Sequence, residues 1–483
     1  MTRSSQRLTG WAGVILHIIK KEIYENFLSL RFSITSILCF LVVTASIVIL
    51  GKAYVDDQYD YTRNAREYAE YIKDISHPWH IIYRGIPVEK PVSKLSMFNK
   101  GIDDTGRSAR IYGYREAAYY IKKGKNPVNF LFPAMDLLFF VSVIMSLLAI
   151  VFSYDAVSGE KFNETLKLMV SYPVHRVSII IGKWIGGYAC LLLPFVLSCA
   201  GGMLTLLILV PDIRFSSHDF LKLLMFTGFS FLYISIIYTF GLLVSSSTAR
   251  PSTSITVLLL VWVVFILVIP NISTSAASFF VTTDTVQEVE EKKRDIMQNA
   301  REEYRKKRRE YWRDASLQKT PFRVYRRMLD KERYVQIRRG IHHIQHAYRL
   351  DMAAQTRLAK WISRLSPLAS LTYAAGAVTG SGYEESESFR IAVDEYERRI
   401  MNFAYDEWIK RERDRERVRS GLQSKPRWEF DAEHAPAFNY AELRQSGLSH
   451  QIAGVFIDAG LLVCWNVIFL LLTYIFFIRY DVK

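Results

Sequence analysis

Six long uncharged apolar runs punctuate this chain: Phe32 to Gly51, Leu137 to Tyr154, Trp184 to Val210, Leu223 to Ala249, Pro251 to Thr283 and Ala459 to Ile478. A bilayer core about 30 Å thick takes roughly 20 apolar residues of helix, so each run is long enough to span. A backbone that meets no water there must bond to itself, which makes each run a helix. The predicted fold is an all-α integral membrane protein with a cytoplasmic amphipathic helix over residues 1–31 and spans at 32–51, 130–154, 178–210, 219–247, 252–270 and 453–478. A polar loop fills 155–177, outer segments fill 52–129 and 271–452, and a tail closes the chain at 479–483. The first run begins only at Phe32 and is a full span long, which predicts an uncleaved anchor rather than a signal peptide.

Orientation follows from Lys and Arg in the short loops. With the N-terminus inside, the inner segments hold Arg3, Arg7, Lys20, Lys21 and Arg31, then Lys161, Lys167, Arg176 and Lys183, then Arg250, then Arg479 and Lys483. Both termini are then cytoplasmic, and the two long segments face outward. Of the net charge of +15, +7 falls on residues 281–450, where 34 Lys plus Arg stand against 27 Asp plus Glu. Placed outside the cell, that excess suits an acidic partner or anionic headgroups and excludes nucleic acid. Cys39, Cys190, Cys199 and Cys464 all fall in apolar runs, so no disulfide staples the outer segments.

Residues Ile15, Ile18, Ile19, Glu22, Ile23, Asn26, Phe27 and Leu30 recur at helical spacing, predicting an amphipathic helix before the first span. Simple anchoring and contact with a cytoplasmic subunit are both open to it. The larger outer segment reads as helical hairpins: one seam from Val286 to Tyr311, a second from Phe322 towards Ile362, and a third helix around Phe389 to Arg419. Pro367 interrupts the second, and GAVTGSGYEESES separates it from the third. Pro78, Pro87 and Pro91 rule out one continuous helix over 52–129, predicting a small mixed or helical cap.

Apart from Asp136, Lys222 and Asp458 at outer edges of the spans and Lys183 at an inner edge, the apolar runs hold no Asp, Glu, Lys, Arg or His. That leaves no proton relay of the kind coupled transporters keep at membrane depth. No GxxxxGK[ST] pattern is present, so any energy for work comes through another subunit. The one sizeable inner loop, Asp155 to Lys183, is therefore the docking surface for a motor. Asn163 is expected to cap a short helix starting at Glu164, with Leu166, Met169 and Val170 on one side and Tyr172 and Pro173 ending it. The plain alternative is an ordinary interfacial loop.

The order Asp155, Ser158, Gly159, Glu160, Thr165, Leu166, Leu168, Ser171, Tyr172, Pro173, Arg176, Gly182, Lys183 resembles the inner loop of type 2 ABC transporter permeases. The arrangement of spans is similar too, as is the fifth-span ending WVVFILVIPNIS with Trp262 and Pro270. The Ser366-Pro367 pair late in the insertion resembles a subgroup with large outer insertions, although compact members have short outer loops. The resemblance implies a bacterial or archaeal cytoplasmic membrane and a pair of permeases, identical or sister chains. It also implies two cytoplasmic ATPase subunits that hold the ATP and Mg, with no cofactor in this chain. ATPase closure would then push a coupling helix through Glu160, Lys161, Phe162, Glu164 and Lys167, with Asp155 and Gly159 shaping its entry.

Gly182, Gly186, Gly187, Gly201 and Gly202 allow close helix approach, within one subunit or at a dimer face. His342 and His346 could face a metal from one helix, but no Cys or HExxH pattern supports a metal site. The group His77-Pro78-Trp79-His80 is ambiguous in the same way. No serine sits in a nucleophile elbow. Two functions remain: the non-catalytic permease subunit of an ATP-driven exporter or of a machine acting on an extracytoplasmic partner protein, and a membrane-anchored scaffold or receptor without transport.

Overall fold

A computed structural model describes residues 3–101, 107–113, 117–120, 135–171, 174–431, 434–443 and 448–479. All six apolar runs lie in helices long and apolar enough to cross a membrane. Helix α1 (Arg3–Phe27) turns into α2 (Leu30–Lys73) at Ser29, whose hydroxyl accepts from the Phe32 amide. The 44 residues of α2 extend about 66 Å, twice a bilayer core. The helix therefore does not stop at Gly51, where the apolar run ends: neither Gly nor Pro occurs between residues 52 and 77 to break it.

Beyond α2 the chain forms a three-stranded antiparallel sheet, β1 (Ile86–Glu89), β2 (Ser108–Ile111) and β3 (Ala118–Tyr120), with Ile86 opposite Ile111 and Ser108 opposite Tyr120. The cap is thus mixed. The second span comprises α3 (Leu137–Phe139), a π-turn at Phe140–Met145 and α4 (Ser146–Ser153), started by Asp136, whose carboxylate accepts from the Phe139 amide. The short helices α5 (Ser158–Phe162) and α6 (Thr165–Ser171) lead into the spans α7 (Arg176–Leu209) and α8 (Ser217–Ser247). The next span is α9 (Pro251–Val263), a π-turn at Val264–Val268 and α10 (Ile269–Phe280). Helices α11 (Val286–Tyr311), α12 (Phe322–Ser363), α13 (Pro367–Thr379), α14 (Tyr383–Arg419) and α15 (Tyr440–Leu443) precede the last span, α16 (Leu448–Ile478).

Two apolar cores result. In the bundle, Val43 and Ile47 of α2 pack with Phe140, Phe195, Tyr233 and Tyr238. In the domain at one end, Ile82, Val88 and Ile111 pack against Phe389, Tyr396 and Met401 of α14, so both long polar segments build one body. Its helix α11 begins with a capping box, Thr285 with Glu288.

Sequence spacing misjudges one stretch. Pro367 does not simply break a helix, and the small residues after it are not all a spacer: Pro367–Thr379 is helix α13, with Ser366 as its cap, Pro367 in its first turn and Gly380 in the left-handed region at φ 70°. Leu371, Ala374 and Ala375 are wholly buried in the bundle core beside α8 and α16. Small side chains let those backbones approach closely. The Ser366 hydroxyl donates to the Phe265 carbonyl in the π-turn, at 2.5 Å. A piece of the polar-looking segment therefore returns into the spans.

Candidate functional site: the polar turn between the second and third spans

The loop residues divide into an inward set and an outward set. Glu160 points inward: its Oε1 lies 2.8 Å from Nζ of Lys183, which in turn lies 2.7 Å from Glu22 Oε1. Lys183 is only 3% exposed on α7, and Lys21 adds a second cation 3.8 Å from Glu160. A buried ammonium needs paired charge around it, and here two carboxylates from two different elements supply it. The other Glu160 oxygen is buried with no hydrogen-bond partner among the described residues, leaving it acceptor capacity to spare.

Lys161 also turns inward, donating to the carbonyls of Ser246 and, at 3.3 Å, Thr248. These are unsatisfied acceptors at the C-terminal end of α8, where a cation is favoured. The same helix end serves the start of α5, because the Ser245 hydroxyl accepts from the amides of Val157 at 3.0 Å and Ser158 at 2.9 Å. Asp155 pairs bidentately with Arg31 of α2, Nη1 to Oδ1 at 3.0 Å and Nη2 to Oδ2 at 2.8 Å. The Gly159 amide bonds the Asp155 carbonyl at 2.8 Å.

Phe162, Glu164 and Lys167 face outward. Phe162 is 63% exposed and Leu168 67% exposed, while Leu166 is wholly buried and Met169 and Val170 pack on the bundle. The helix boundary differs from the expected one. Asn163 ends α5 rather than capping α6, and Glu164 takes φ 57°, so the two short helices meet at a left-handed corner. A non-glycine residue there costs about 1–2 kcal/mol, and the packing of α5 and α6 on either side holds it. Tyr172 and Pro173, expected to end α6, lie outside the described residues.

The glycines set the distance at which α1 lies. A Cβ on Gly182 would come within 2.6 Å of Ile18 Cγ2, and one on Gly186 within 2.7 Å of Glu22 Cβ. Without side chains there, Glu22 reaches Lys183. Gly187 abuts the Tyr238 hydroxyl, and Gly201 and Gly202 face Phe40, Thr44 and Ile47 of α2. All five lie at contacts between helices of this one chain.

Sequence reasoning missed Glu22, Arg31 and Ser245. Glu22 carried a signal: it stands in the apolar stripe with Ile18, Ile19 and Ile23, where an acid needs a buried partner. Ser245 carried none, since a serine near a helix end is ordinary. His342 and His346 stack at 6.1 Å, and no group of three potential metal ligands occurs among the described residues.

Known proteins bear on this arrangement. The probable ABC transporter permease protein NosY of Pseudomonas aeruginosa is 34% identical over 71 residues, 15% of this chain and 26% of that protein. The protein of the same description from Stutzerimonas stutzeri is 28% identical over 131 residues, 26% of this chain and 45% of that protein. The chain thus covers less than half the length of these relatives. The family model for ABC-2 family transporter proteins matches residues 16–482. That match runs from α1 through all six apolar helices and the turn between them, so the chain belongs to the ABC-2 transporter family.

Proposed function

We propose that this chain is the membrane-spanning permease subunit of an ATP-driven transporter, worked by a separate cytoplasmic ATPase that binds ATP and Mg. The end carrying α1, α5 and α6 is cytoplasmic in this reading, and the end carrying the sheet, α11, α12, α14 and α15 is outside. Two ATPase subunits and a second permease, identical or a sister chain, complete the assembly, and the direction of transport is export. The observation that supports this best is the two-sided turn. Phe162 and Leu168 are presented outward, while Glu160 beside them is ionically tied to Lys183 of α7, which in turn pairs with Glu22 of α1.

A push on the outward face is carried into two helices at once, because a buried ion pair resists separation. Phe162 and Leu168 supply the apolar contact, and Glu164 and Lys167 form its polar rim. The ATPase chain would carry the phosphate chemistry, and this chain would carry the movement.

The test is a complex reconstituted in lipid, with ATP hydrolysis and substrate-dependent stimulation measured for Phe162→Ala together with Leu168→Ala. Loss of ATPase copurification or of stimulation is expected. Full assembly and unchanged stimulation would remove this face from the motor interface. Normal function of the protein with no ATPase bound would favour the scaffold or receptor reading.

A further inference from the structure

Antiparallel α11 and α12 stand beside α14 and enclose a cleft of about 970 Å³. Along its α11 wall run Arg294, Arg301 and Arg305, seven and four residues apart, or about 10.5 Å and 6 Å along the helix. None of the three has a hydrogen-bond or ion-pair partner among the described residues. The α12 wall adds Arg333, stacked over Tyr304 at 4.8 Å, and Arg338, held 3.0 Å from Glu397. The acids on the walls are Glu290, 3.0 Å from Lys293, and Glu302, so cations prevail. The lining also includes Met297, Ile337 and Ile341, with Tyr334 and Tyr405 packed against each other at 5.1 Å.

We propose that this cleft receives an acidic amphipathic helix of an extracytoplasmic partner protein. This inference rests on the outward placement of α11, α12 and α14 proposed above. Carboxylates four and seven residues apart on a helix repeat the spacing of the arginines, and an arginine can grip a carboxylate with two donors. Met297 and Ile337, the more open of the apolar lining residues, suit the apolar face of the same helix, in the manner of a helix laid into a groove. An acidic glycan fits less well, because Tyr334 and Tyr405 are buried with little face open for a sugar to stack on.

The test uses the full complex in lipid nanodiscs without nucleotide and a fluorescent helical peptide of about 18 residues, with glutamates four and seven apart and leucines on the opposite face. Binding by anisotropy is expected, weakening as salt rises from about 0.1 to 0.5 M. Arg294→Gln, Arg301→Gln and Arg305→Gln together should weaken it about tenfold or more. Arg301→Glu with Arg305→Glu should shift preference to a peptide with lysines for glutamates. All are exposed positions, and a melting curve for each variant verifies folding. No binding to the unaltered protein, equal binding to the triple variant, or displacement by a sulfated oligosaccharide at lower concentration than by unlabelled peptide would each overturn the proposal. ATPase copurification, scored in the same samples, reads the permease assignment separately.

Discussion

Lys183 and Glu160 lie 2.8 Å apart at the inner core of the turn, joining the third span to the loop before it. Removing one partner of such a buried pair leaves a bare charge and costs about 3–5 kcal/mol. Lys183→Met should therefore lower the melting temperature markedly, and Lys183→Met with Glu160→Gln and Glu22→Gln should recover much of it. Thermal unfolding in detergent measures both. A single variant that melts like the parent would show the cluster to be energetically idle.

Gly186 faces the Cβ of Glu22 and, at 3.1 Å from an added Cβ, the Ile19 backbone carbonyl. A backbone atom cannot rotate away, so Gly186→Val must push α1 off α7, at the roughly 1–3 kcal/mol typical of overpacking. Faster tryptic cleavage after Lys20 and Lys21 is the expected readout. Unchanged protection would place the strain elsewhere.

Arg364 closes the end of α12 and grips Asp458 of α16 with two bonds, Nε to Oδ1 at 2.7 Å and Nη2 to Oδ2 at 3.0 Å. It ties the domain to the last span. A double-mutant cycle with Arg364→Gln and Asp458→Asn should give a coupling energy of about 1–3 kcal/mol. Arg364→Gln should also raise amide exchange where α12 meets α13. A cycle that sums to zero would mean the domain is held by packing alone.

His77 makes domain stability depend on pH. Its Nδ1 accepts from the Trp79 amide at 2.9 Å and its ring meets Trp408 edge-on at 5.9 Å. Burial, and then the charges of Arg411 and Arg415, push its pKa down to about 4. Because an unfolded histidine titrates near 6.5, the unfolded chain takes up the proton first as pH falls. Stability from this group is complete above about pH 6.5 and is lost as pH drops towards 4. Melting of the protein at pH 7.5 and pH 5 should show a decline that His77→Gln reduces; an identical slope in both would clear His77 of the effect.

Much of the architecture is legible in the residues themselves. The six spans need only a run of apolar side chains, because a bilayer leaves a backbone no other choice. A seam at helical spacing likewise marks the helix that the structure shows as α11. The turn is legible in part: Leu166, Met169 and Val170 do form the packed side, whereas the corner at Glu164 departs from the expected cap because α5 and α6 meet in a left-handed residue.

What the sequence determines by itself is therefore the set of elements and the chemical types available at their ends, since both follow from local patterning. Tertiary structure alone decides that Glu22, Lys183 and Glu160, far apart along the chain, share one buried ionic cluster, and that α13 leaves the polar segment to enter the bundle. The physical reason is that a charge or a small residue carries no record of its partner. Only the close approach of helices permitted by Gly182 and Gly186 brings the partners within bonding distance.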